Sequence, residues 1–270
     1  MSLNPGRRIR YDRLVRPETG HTIMVPLDHG MIYGPMRGIE DPAAMVRNVV
    51  AGGVDGVIFN TGLARPLLNA VAGRCGTVHK LTNSASNDDC QILLGGVEHA
   101  LRLGADWVSV EVHIGSPLEE AQITNARIVA EGSELWNVPL LIMVYADPAF
   151  SEERGPLEAL RHVTRSAAEL GADIVKTSYP DDLDAFQRVV EGCPVPVVIA
   201  GGVRDGDEIG VLRLARDAVD AGAIGLTLGR SVWGASDPER LARALVRVVH
   251  DGASVADAQD ILQAREPMRV

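Results

Sequence analysis

Short apolar runs alternate with longer segments of helical periodicity from one end of the chain to the other. The runs are HTIMVPLDHG (21–30), VDGVIFNTG (54–62), GTVHKLT (76–82), ADWVSVEVHIG (105–115), VPLLIMVYADP (138–148), ADIVKTSYP (172–180), VPVVIAGG (195–202) and AIGLTLGR (223–230). Most are continuously apolar rather than alternating, the pattern of parallel strands covered on both faces. Between them, DPAAMVRNVVAGG (41–53) has an Asp N-cap, Pro at the first helical position and Gly at its exit. LEALRHVTRSAAELGA (157–172) carries apolar residues at helical spacing and ends at Gly171. The phrases AGGVDGV, RLGADWV, ELGADIV and DAGAIGL recur before strands two, four, six and eight. Each reads as a helix-ending glycine feeding a short turn into a strand, so the unit is βα, repeated eight times. No Gly-rich dinucleotide fingerprint follows the first strand, which favours a closed barrel over a doubly wound sheet. The predicted fold is α/β, a single-domain (β/α)8 TIM barrel over 1–270. Residues 1–20 read as an N-terminal extension and 251–270 as a C-terminal tail.

Charge narrows the partners. The net charge of −10 and pI near 5.2 argue against nucleic-acid binding, which needs a basic face. Arg7, Arg8, Arg10 and Arg13 form a small basic cluster, read as a solvated end that packs across the protein. The three cysteines, Cys75, Cys90 and Cys193, are widely spaced and predict neither a disulfide framework nor a zinc knuckle. The chain opens without the apolar core of a signal peptide, and no run reaches the ~18 apolar residues of a membrane span. The expectation is a soluble, cytoplasmic protein.

In a barrel of this kind the chemistry sits at the C-terminal ends of the strands. That rule selects Asp28 and His29 after strand one, Asn60 on strand two, and Lys80 to Asn83 at strand three. It selects Glu111 and His113 on strand four, Tyr145 and Asp147 on strand five, and Lys176 and Ser178 on strand six. Gly201 and Gly202 follow strand seven, and Gly229 and Arg230 follow strand eight. Lys80 and Lys176 are the only lysines among 26 basic residues, and Lys176 stands in an otherwise apolar run. Burial there favours the neutral, nucleophilic amine, which can form a Schiff base as an arginine cannot. The alternative is a lysine that reaches solvent or pairs with a carboxylate. Tyr145 and Asp28 stand where groups shuttling protons for such a reaction are needed. The glycine turns AGGVR (200–204) and LGRSVW (228–233) suit close approach of a phosphate, with Arg230, and Arg204 beside it, adding charge. No metal-ligand spacing stands out, and no metal is expected.

VPLDHGMIYGP (25–35), AAELGADIVKTSYPDD (167–182), PVPVVIAGGVR (194–204) and DAGAIGLTLGRSVW (220–233) resemble the archaeal-type class I fructose-bisphosphate aldolase family. Aminodideoxyheptulosonate synthases and an autoinducer-2-phosphate thiolase belong to the same family. The resemblance in motif order runs from about residue 7 to 250 and implies Lys176 as Schiff-base former, Tyr145 as proton-transfer residue and Asp28 as assisting carboxylate. It implies no cofactor beyond the covalent Schiff base, a phosphorylated small-molecule substrate held at Gly201, Gly202, Gly229 and Arg230, and a homo-oligomer, often a decamer. His29, Asn60, His113, Asp147 and Ser178 are the candidate pocket residues. Members usually follow the strand-five tyrosine with Pro-Arg-Gly, where this chain has Ala146-Asp147-Pro148. The heptulosonate branch carries His-Lys-Gly after strand two and His-Leu-Ser-Ala-Ser-Thr at strand three. Here those places read Asn60-Thr61-Gly62 and Lys80-Leu81-Thr82-Asn83-Ser84-Ala85-Ser86. The expected activity is a class I aldolase on a phosphorylated ketose or keto compound. The alternatives are thiolase-like acyl transfer to coenzyme A by the same lysine, and a barrel kept as a binding scaffold.

Overall fold

The computed structural model describes residues 4–84, 90–201 and 207–263. Eight parallel strands close into a barrel: β1 (Thr22–Pro26), β2 (Gly56–Asn60), β3 (Gly76–Lys80), β4 (Trp107–Ile114), β5 (Leu140–Ala146), β6 (Ile174–Ser178), β7 (Val197–Ala200) and β8 (Gly225–Thr227). Each apolar run of the sequence supplies one of them, and β8 pairs with β1 to complete the ring. The predicted (β/α)8 barrel is the observed fold. Among the described residues no helix is long and apolar enough to cross a membrane.

The recurring joints have one backbone reason. Gly53, Gly104, Gly171 and Gly222 leave their helices at φ of 93°, 88°, 105° and 96°, where a side chain would be strained. Helix starts are equally local: Asp41, Asp182, Asp207 and Asp237 each accept a backbone N–H of the first turn.

Inward-facing side chains fill the barrel. Met24, Ile58, Val78, Trp107, Leu141, Ile174 and Val198 form one buried cluster, and Leu14 joins it. β2 and β3 begin with glycines for that reason, because a Cβ on Gly56 or Gly76 would overlap the Leu14 side chain.

The N-terminal helix Pro5–Tyr11 and the turn after it cover the base of the barrel. Three of their arginines each find an aspartate at the foot of an even-numbered strand. Arg7 pairs with Asp173, Arg13 with Asp106 and Arg16 with Asp55. Each aspartate also accepts a neighbouring strand's N–H: Leu140 N at 2.7 Å on Asp173, Thr77 N at 3.0 Å on Asp106, and Ile23 N at 2.6 Å on Asp55. The arginines therefore complete carboxylates that the sheet already holds in place.

Arg7→Ala is expected to destabilise the protein by about 2 kcal/mol, the scale of a part-buried hydrogen bond to a charged group. That lowers the melting midpoint by roughly 4–8 °C in a calorimetric scan. Arg8→Ala, which removes only an exposed pair with Asp12 one turn away, should leave the midpoint nearly unchanged.

Candidate active site

The C-terminal ends of the strands bring Asp28, Asn60, Lys80, Glu111, His113, Tyr145 and Lys176 to one mouth. Side chains alternate along a strand, so Ile58 inside the barrel puts Asn60 inside, Val78 does the same for Lys80, and Trp107 for Glu111 and His113. By the same alternation Leu141 and Met143 lead to Tyr145, and Ile174 leads to Lys176. Register sets the neighbours: Met143 lies beside Lys176, and His113 beside Tyr145.

Lys176 is 6 % exposed. Its Nζ has the sulfur of Met143 as partner, at 3.7 Å. Burial pushes the amine's pKa down. Asp28 and Glu111 oppose that shift and Lys80 and Arg230 add to it, with the pKa below the usual lysine value as the outcome.

Lys80 has the reverse environment. It is 2 % exposed, with Nζ 2.9 Å from Asp28 Oδ2 and 2.6 Å from Glu111 Oε2. Burial alone would lower its pKa, but the two carboxylates outweigh burial and hold the ammonium above its ordinary range. Glu111 is likewise held at about 2, since Lys80 and His113 overcome the upward push of burial. Its other oxygen meets His113 Nε2 at 2.9 Å and Gln91 Nε2 at 3.3 Å. Asp28 stays ionised well below the usual range, with burial again outweighed by Lys80, His29 and Lys176.

Asp28 is anchored through its backbone. Its carbonyl accepts from Asn60 Nδ2 at 3.0 Å and Asn83 Nδ2 at 3.1 Å, and Asn83 also donates to Asn60 Oδ1 at 2.8 Å. Asp28 Oδ1 is buried and, among the described residues, makes no hydrogen bond, although His29 Nδ1 lies 3.2 Å away. The His29 ring packs edge-on against Trp233 at 5.5 Å. Tyr145 lies 5.4 Å from the His113 ring, and burial and Glu111 push its phenol's pKa up, so it keeps its proton at neutral pH.

Arg230 opens the short helix Arg230–Trp233 and is close enough to act electrostatically on both Lys176 and Tyr145. The glycines before it have packing reasons as well. A Cβ on Gly201 would overlap Leu228, and one on Gly229 would come within 3.1 Å of Pro26 and Trp233. Gly202 and Arg204 lie outside the described residues, as do Ala85 and Ser86. Ser178 is exposed at the end of β6. Asp147 accepts the Ala149 N–H at 2.9 Å and starts the helix Pro148–Arg154. Asn60 also walls a cavity of about 400 Å³ shared with Leu27, Met31, Ile39 and Leu63. Among the described residues no group of three or more His, Cys, Asp or Glu side chains is arranged to hold a metal ion.

The strand-end rule selected Lys80, Asn83 and Glu111 without foreseeing their ion pairs and hydrogen bonds, and it did not select Gln91 or Met143. Two signals were available: Lys80 is half of the chain's lysine content, and Glu111 shares a strand face with His113.

The sequence profile described as "DeoC/LacD family aldolase" matches residues 22–235. A 2-amino-4,5-dihydroxy-6-oxo-7-(phosphonooxy)heptanoate synthase of Streptomyces griseus is 35% identical over 252 residues, 92% of each chain. A 2-amino-3,7-dideoxy-D-threo-hept-6-ulosonate synthase of Halobacterium salinarum is 37% identical over 251 residues, 92% of this chain and 93% of its own. An archaeal fructose 1,6-bisphosphate aldolase structure superposes with a TM-score of 0.82 at 27% identity, covering 91% of this chain and all of its own. Another, with its catalytic lysine covalently bound to the carbinolamine intermediate of the substrate, gives 0.81 at 26%, covering 90% of this chain and 99% of its own.

Proposed function

Because the chain belongs to the DeoC/LacD family of aldolases, we propose that it makes or breaks a carbon–carbon bond of a phosphorylated keto compound through an imine on Lys176. The observation that carries this reading is the buried Lys176 amine, with its lowered pKa and a methionine sulfur as partner. The neutral amine adds to the donor's carbonyl carbon, and the carbonyl oxygen takes up a proton to give a carbinolamine. Loss of water leaves an iminium whose nitrogen draws electrons from the bond to be broken, or from the C–H bond to be ionised in synthesis. Tyr145, protonated at neutral pH, gives its proton to the departing hydroxyl. Asp28, ionised between Lys80 and His29, accepts the proton of the substrate hydroxyl as the aldehyde leaves. Reprotonation of the enamine and hydrolysis of the imine return Lys176.

Arg230, with the glycine turns at Gly201-Gly202 and Gly229, is the proposed phosphate cradle. The product named for the S. griseus relative has a ketone at carbon 6, a phosphonooxy group at carbon 7 and hydroxyls at carbons 4 and 5. An aldol with that pattern joins a three-carbon ketone phosphate to a four-carbon amino aldehyde. A short ketone phosphate is the donor class proposed for this chain. The acceptor aldehyde would lie toward Asn60, His113 and Asp147.

Incubation with dihydroxyacetone phosphate and sodium borohydride is expected to leave a reduced adduct on the Lys176 peptide and none on the Lys80 peptide, read by mass spectrometry. Equal trapping in Lys176→Ala would sink the reading.

A further inference from the structure

The chain's two lysines enter the same barrel mouth, Lys80 from β3 and Lys176 from β6. Their surroundings are opposite. Lys80 Nζ touches two carboxylates at 2.9 and 2.6 Å. Lys176 Nζ makes no ion pair among the described residues and rests against a sulfur. Yet the same two carboxylates, Asp28 and Glu111, are near enough to act on Lys176. In a site this dry, an ammonium beside an unclaimed carboxylate becomes its partner.

We propose that Lys80 is a positioning residue that claims Asp28 and Glu111 as its own counter-ions and thereby leaves Lys176 as a neutral nucleophile. The inference rests on the imine reading of Lys176. Lys80 is suited to the task because it is clamped on both sides. Glu111 is held by His113 and Gln91, and the Asp28 backbone by Asn60 and Asn83. Lys80 gives up no proton in this arrangement, so it competes poorly for a carbonyl although its side chain is chemically identical. The charged groups that act on Lys176 are Asp28 beyond β1, Lys80 on β3, Glu111 on β4 and Arg230 beyond β8, while His29 faces Asp28, His113 faces Glu111 and Tyr145 lies beside His113. Of these, Lys80 is the cation in contact with both anions.

The sign of the effect follows. Removing the Lys80 charge leaves two buried carboxylates, and the nearest remaining amine gains by staying protonated. The Lys176 pKa then rises by about one unit or more, the scale of an opposite charge within a few ångströms.

The test is competitive labelling with acetic anhydride across pH, read on the Lys176 peptide by mass spectrometry, which requires no turnover. The unaltered protein should show a labelling midpoint below that of a free lysine. Lys80→Met should move the midpoint up by about one unit or more, a roughly tenfold loss of reactivity at neutral pH. Lys80→Arg, which keeps a permanent cation between the carboxylates, should stay near the unaltered midpoint. Lys80→Met/Glu111→Gln removes one charge of each sign and guards against a variant that fails to fold. Asp28 still becomes Lys176's partner there, so the upward shift should persist. A low midpoint that neither Met-bearing variant moves overturns the role of Lys80 and leaves the imine reading standing. An ordinary lysine midpoint in the unaltered protein overturns both.

Discussion

Lys176→Ala is expected to lower kcat/KM by roughly 10⁵-fold, the scale of losing a covalent nucleophile. That is about 7 kcal/mol of transition-state stabilisation, taken at 1.36 kcal/mol per decade. The size of the loss follows from what remains. On the imine reading Asp28, Tyr145 and Arg230 would still surround the substrate, but no iminium would form, so the bond being broken would have no electron sink. Lys80 cannot step in. It is held between Asp28 and Glu111 and keeps its proton. Aldol turnover of the donor and a panel of aldehydes by purified Lys176→Ala is the measurement. A loss smaller than about tenfold would show that the enzyme does not need this imine.

Tyr145→Phe is expected to cost roughly 10²–10⁴ in kcat, the range for a positioned proton-transfer group. The phenol lies beside the His113 ring and, through burial and the neighbouring Glu111, holds its proton past neutral pH. In the proposed mechanism it is the acid that would deliver a proton to the departing carbinolamine hydroxyl. Its loss should slow dehydration without preventing attack by Lys176. Borohydride trapping in Tyr145→Phe should therefore still reach Lys176, only more slowly. Rapid-quench trapping separates the two steps. Trapping as fast as in the unaltered protein, together with a normal kcat, would remove Tyr145 from the mechanism.

The strands and their joints were legible because their causes are local. A continuous apolar run is a strand covered on both faces, and GVD or GAD after a helix marks a positive-φ exit, realised at Gly53, Gly104 and Gly171. Lys176 was legible for a related reason, as an amine inside such a run. The ion pairs of Lys80 were not. They depend on closing the ring so that β1, β3 and β4 meet at one mouth, and Asp28, Lys80 and Glu111 share no spacing that announces it. Gly201 and Gly229 read in the sequence as room for an anion, and in the barrel each also makes room for a neighbour, Leu228 for the first and Pro26 with Trp233 for the second. Asp147 looked like a change of pocket chemistry. Its followed proline and its bond to Ala149 N make it a helix cap as well.

The seal under the barrel has an order in time. Arg16, Arg13 and Arg7 meet partners 39, 93 and 166 residues further along the chain. A chain emerging from its N-terminus therefore carries all three cations before any of the three anions exists. Asp55 arrives first, Asp106 next, and Asp173 last, at the foot of β6. The strand bearing Lys176 is thus the last of the three to be anchored from below. A nascent chain halted short of Asp173 would have two staples available and no Lys176.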